Sequence, residues 1–92
     1  MISNKELLEL CLEEHYKLTQ NTADKHRDVK YAEYTIDLAN TLQVYQPEHA
    51  NVYQPEVEGL EQVIQDLKNE IKDNENKIRN IFNLILKIGG DC

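Results

Sequence analysis

Ser3 and Glu6 form a capping box, after which Leu7, Leu8, Cys11, Leu12, His15 and Leu18 recur at helical spacing. This pattern predicts a first helix over about 4–18. The stretch TQNT at 19–22 is rich in capping residues and interrupts the apolar pattern, so a second helix is expected from about 23 to 45, with Thr22 as its N-cap. Its apolar stripe runs through Val29, Ala32, Ile36 and Ala39, flanked by Tyr31, Tyr34, Leu38 and Leu42. A stripe of that width is expected to touch two neighbours rather than one.

The third segment carries the strongest signal. Val57, Ile64, Ile71, Ile78 and Ile85 are spaced by seven, and Leu60, Leu67, Asn74, Ile81 and Ile88 each follow three residues later. This is an a/d heptad with one polar d position, and it predicts a single helix over about 56–88, roughly 50 Å long. An antiparallel second helix of roughly 35 Å would leave the far end of that long helix uncovered. The same end is the most apolar, with Ile81, Phe82, Leu84, Ile85, Leu86 and Ile88. The expectation is therefore an all-α fold: a short N-terminal helix packed against that end of a long antiparallel hairpin. The ten heptad residues are candidates for self-association. Against a simple parallel dimer, Glu70 would face Glu75, and like charges there repel.

Between the two halves of the hairpin the chain repeats itself: Val44-Tyr45-Gln46-Pro47-Glu48, then Val52-Tyr53-Gln54-Pro55-Glu56. Proline disfavours helix in the residue before it and is favoured at the first helical position. The repeat reads as a two-step hinge over 46–55. Extending the heptad backward puts Ala50 at a and Tyr53 at d, so a helical turn before Pro55 would already follow the seam. A flexible tail is expected at 89–92, making one domain in all.

Charge changes the picture more than composition does. The 92 residues carry ten Lys and Arg against seventeen Asp and Glu, a formal charge of −7. Residues 1–30 hold five basic and six acidic groups, and residues 68–92 hold five basic and four acidic. Residues 31–67 hold no Lys or Arg at all, against Glu33, Asp37, Glu48, Glu56, Glu58, Glu61 and Asp66. The entire net charge thus lies in one stretch, which argues against binding a phosphate backbone and for a partner protein with a basic surface. Tyrosine offers large contact area at low entropic cost, and carboxylates steer a basic partner. The candidate partner-binding residues are Tyr34, Asp37, Tyr45, Glu48, Tyr53, Glu56, Glu58 and Glu61. The competing reading is a solvated acidic face with tyrosines tucked into the seam.

Little else points to chemistry. His15, His26 and His49 each lack a second metal ligand at a standard spacing, and no paired C-x-x-C, nucleophile motif or phosphate-cradling glycine loop occurs. Glu6, Glu9, Glu13 and Glu14 supply one carboxylate helix without the second carboxylate pair that a magnesium-dependent pyrophosphatase would need. No enzyme activity and no cofactor are expected. Lys25, His26, Arg27 and Lys30, with Tyr31 beside them, form a candidate patch for a phosphorylated small ligand, unless these groups are spent on ion pairs with neighbouring carboxylates. Cys11 falls on an apolar helix face and Cys92 ends the chain, so a reducing cytoplasm is expected. No signal peptide or membrane span is visible.

Small size, acidity, richness in Asn and Ile, and the plan of one helix plus a hairpin resemble the small phage-encoded inhibitors of bacterial defence. The segment YAEYTIDLANTL, then Pro47, then GLEQVIQDLKNEI carries the hairpin part of that likeness. The resemblance is one of type across the whole chain, and no binding residue is transferred by it. It implies action in a host-cell cytoplasm in one of two ways. An inhibitor would block a nucleic-acid-binding type of site on a partner with acidic groups. A helical-hairpin oligomer would instead act as a sponge for a cyclic nucleotide. Host proteins of the same plan serve as structural coiled-coil adaptors.

Overall fold

A computed structural model describes residues 2–90 as two long helices, α1 (Asn4–Tyr45) and α2 (Ala50–Gly90), joined by a 3-10 turn at Pro47–His49. The helices lie against each other as an extended hairpin of 67 × 18 × 14 Å. Gln43 meets Gln54 beside the turn, Lys25 meets Glu70 and Asn21 meets Asn74 halfway along, and His15 lies against Phe82 toward the open end.

α1 is one helix of 42 residues where two were expected. The capping box holds, with the Glu6 amide donating to the Ser3 hydroxyl at 3.2 Å. TQNT does not break the helix. Thr19 and Thr22 donate their hydroxyls to the carbonyls of His15 and Leu18 at 2.8 and 2.7 Å, so both polar groups are satisfied within the helix. Thr22 is buried in the seam and caps nothing. With no Gly or Pro between Ser3 and Pro47, nothing forces an end, and packing along α2 carries the helix through its weakest stretch.

The hinge is also shorter than the 46–55 expected. The Gln46 amide donates to the Leu42 carbonyl at 2.7 Å to close α1, and the His49 amide donates to the Gln46 carbonyl at 2.9 Å to form the turn. Pro47 opens that turn, whereas Pro55 lies inside α2. Pro55 is solvent-exposed, so water can take the backbone acceptor that its missing N–H leaves behind. The two VYQPE copies are therefore not equivalent: Tyr45 is 79 % exposed, while Tyr53 is half-buried and donates its hydroxyl to the Gln46 side chain at 3.1 Å. Of the expected tail, Gly89 and Gly90 continue α2, a two-residue difference of the kind common at helix ends. Residues 91 and 92 lie outside the described residues.

Continuity of α1 removes the length mismatch. At 42 and 41 residues the helices match, and the first turns of α1 cover the end of α2 that a separate helix was expected to cover. No three-helix cluster forms. From Ala50 to Gly89, every α2 residue that is not solvent-exposed belongs to one series: Ala50, Tyr53, Val57, Leu60, Ile64, Leu67, Ile71, Asn74, Ile78, Ile81, Ile85 and Ile88. The heptad and its backward extension are the seam. On α1 and its C-cap Gln46 the series is Leu8, Cys11, His15, Leu18, Thr22, Lys25, Val29, Ala32, Ile36, Ala39, Gln43 and Gln46, with the same alternation of three and four.

Two helices bury little. Val57 and Ile71 fall to 3 % and 6 % exposure, but no side chain among the described residues is fully enclosed. The accessible surface is 7006 Å², against roughly 5,500 Å² for a compact monomer of this mass. The isolated hairpin is therefore expected to be marginally stable.

Candidate functional site

The fold brings together the two lengths of chain that lack cations. The second part of α1 from Tyr31 onward, the turn, and the first part of α2 through Leu67 make up the closed half of the hairpin. All seven surplus carboxylates lie there. The open half, residues 1–30 with 68–92, has charges of −1 and +1 that cancel.

In the open half, ion pairs consume much of the charge. Lys17 pairs with Glu13 at 3.1 Å, Lys25 with Glu70 at 2.8 Å, Arg27 with Asp24 at 3.6 Å and Lys77 with Asp73 at 3.0 Å. The hydrogen bond that Lys17 donates to the Glu13 carboxylate, reinforced by that carboxylate's charge, raises the pKa of Lys17 above the ordinary lysine value. Lys25 is a seam residue whose stem crosses the interface before its ammonium reaches Glu70.

The candidate anion patch is thereby dispersed. Lys25 turns to α2, the His26 ring lies 3.8 Å from Glu75, and Arg27 bridges Asp24 and Asp28. Lys30 makes no ion pair among the described residues. It lines a shallow hollow of about 220 Å³ with Tyr31 and Tyr34.

The candidate partner-binding residues are gathered into one half but not onto one face. Tyr34, Asp37 and Tyr45 are exposed on α1, Glu48 is in the turn, and Glu56, Glu58 and Glu61 are exposed on α2. Tyr53 belongs to the seam. The sequence reading placed Leu38 and Leu42 as flanks of the buried stripe. Leu38 in fact points away from α2, on the far side of α1 together with Tyr31, Tyr34, Thr41 and Tyr45. Its position was readable from the spacing: 31, 34, 38, 41 and 45 repeat the 29, 32, 36, 39, 43 of the seam two residues later, which on a helix is more than half a turn away.

The ten heptad residues suggested for self-association are occupied within the chain. Pairing through them would require the hairpin to open. Cys11 is a free, buried seam residue; Cys92 lies outside the described residues. His15 is a half-buried seam residue whose ring centroid lies 6.4 Å from that of Phe82. Among the described residues, no three of His, Cys, Asp and Glu come together as a metal-ligand set, and no helix is long and apolar enough to cross a membrane. No protein-family model, curated protein or solved structure matches the chain.

Proposed function

We propose that this chain is a non-enzymatic binding module, an antiparallel helical hairpin whose acidic closed half engages and blocks a basic site on a partner protein, of the type that otherwise receives nucleic acid. The observation that carries this reading is the segregation of charge. A cation-free half bearing all the net charge, with exposed tyrosines, complements a basic surface and repels nucleic acid. The residue pairs from Gln43–Gln54 to His15–Phe82 support the antiparallel order, because the α2 number rises as the α1 number falls.

The open half has a different role in this proposal. Leu7, Leu10, Leu12, Phe82, Leu84 and Leu86 are exposed there, on a region without net charge, and a second copy is the occupant that such a surface accommodates without repulsion.

The test is affinity capture from cell extract with the native chain and with a variant carrying Glu48→Gln, Glu56→Gln, Glu58→Gln and Glu61→Gln. The native chain is expected to retain a basic protein that the variant loses, with rising salt weakening retention and circular dichroism showing the same helix content in both. Equal retention by the variant would contradict the proposal.

A further inference from the structure

α1 carries two heptad stripes. One faces α2. The other, Tyr31, Tyr34, Leu38, Thr41 and Tyr45, has the same alternation of three and four and lies on the side of α1 that α2 cannot reach. Tyr31 and Tyr34 are 66 % and 62 % exposed. Thr41 does not interrupt the stripe chemically, because its hydroxyl donates to the Asp37 carbonyl at 2.8 Å and is satisfied within the helix. The stripe extends about 21 Å along the helix. At one end the hollow between Lys30, Tyr31 and Tyr34 offers a recess for an inserted side chain.

We propose that this stripe is the docking strip for a basic amphipathic helix of the partner protein. This rests on the basic-partner reading above and narrows it to one face of α1. An occupant that meets all five positions must itself present side chains every three and four residues along a straight line, which is the geometry of a helix laid alongside. Its charge follows from the flanks. Glu33 and Asp37 lie on the same stretch of α1 and Glu48 lies just beyond Tyr45, while no Lys or Arg occurs from Tyr31 to Leu67. The same charge disfavours a second copy, since joining stripe to stripe would press together two closed halves that each carry the full −7. The tyrosines and Leu38 supply the contact area, and the carboxylates select lysine and arginine at the rim.

The experiment uses the whole chain and a labelled synthetic peptide of about 18 residues, long enough to span the stripe. The peptide has leucine in an a/d pattern and lysine elsewhere. A control peptide has the same composition with its leucines spread evenly around the helix. Fluorescence anisotropy is expected to show saturable binding of the patterned peptide, at least about tenfold tighter than the control. The double variant Tyr34→Ser with Leu38→Ser, both at exposed positions, is expected to weaken it about tenfold or more at unchanged helix content. Equal binding of the control peptide, equal affinity in the double variant, or no binding of the patterned peptide would each overturn the proposal. If instead Glu56→Gln, Glu58→Gln and Glu61→Gln on α2 abolish binding while the stripe variant retains it, the helix-on-stripe proposal falls and the basic-partner reading survives. If neither set weakens it, both fall. A fall in the native chain's mass by light scattering on introducing the stripe variant would identify a second copy as the occupant and overturn it as well.

Discussion

α1 and α2 follow the same seam period over the same length, yet they are written in different residues. The α2 seam from Val57 to Ile88 is Val, Ile and Leu with one Asn. The α1 seam contains Thr22, Lys25, Gln43 and Gln46, with His15 and the small Cys11, Ala32 and Ala39 between its few large apolar groups. The large side chains of α2 thus fill most of the interface, and α1 supplies a surface of lower relief that receives them. The difference teaches that a helix can be specified by its partner: α2 declares itself through its own pattern, and α1 holds its middle turns because α2 lies alongside them.

The sharpest way to break this asymmetry is to put a charge into the helix that carries it. Ile71→Lys would bury an ammonium in the same region of the seam as Lys25, with Glu70 already engaged by Lys25. The expected loss is about 3 kcal/mol or more, enough to unfold a marginal hairpin. Circular dichroism should show little helix at 25 °C, and a cooperative melt close to that of the native chain would contradict the burial described for Ile71.

A proline at Gln20 tests the other helix. Gln20 is exposed and contacts no seam partner, so side-chain loss is negligible. In a continuous helix the substitution should cost about 3 kcal/mol, and chemical denaturation measures it. A change below about 1 kcal/mol would mean that the chain already breaks near 19–22.

Asn74→Leu should move stability the other way and by less. Asn74 is buried and donates its side-chain amide to Asn21 Oδ1 at 2.9 Å; Asn21 is an exposed residue whose acceptor water can satisfy in its absence, while Thr22 is already bonded within α1. The expected gain is about 1 kcal/mol in thermal or urea unfolding. Because a lone seam asparagine sets register, the variant should also show a second set of amide resonances from a slipped pairing. A loss of stability would assign Asn74 a larger role than register.

The same asymmetry explains what could be read in advance. The α2 heptad was legible to the residue, since Ile71 and Ile88 announce a buried line without reference to anything else. So was its backward extension to Ala50 and Tyr53, which the structure places in the seam ahead of Pro55. The middle of α1 was not legible, because Thr22 and Lys25 are poor core residues on any apolarity scale. They lie in the seam because Thr22 satisfies its own hydroxyl and Lys25 extends to Glu70. Only the spacing Leu18, Thr22, Lys25, Val29 carried the information, and it can be recognised once polar residues are allowed to occupy a and d. The concentration of acid in residues 31–67 was plain from counting. The expected hairpin already gathered that stretch at its closed end and put Tyr34 and Glu58 on different helices; that the candidate residues do not share one face, with Tyr53 in the seam, required the structure.

The claim on which the rest depends is that α1 runs unbroken from the open end to the turn. Spin labels attached at Glu9→Cys and Val44→Cys, both exposed positions, in a chain whose Cys11 and Cys92 are replaced by alanine and serine, report it directly. Pulsed electron paramagnetic resonance should give one narrow distance near 50 Å, the rise of 1.5 Å per residue along a straight helix. A distance below about 40 Å would mean that the first helix ends near TQNT and folds back, and the hairpin described here would not be the structure of this chain.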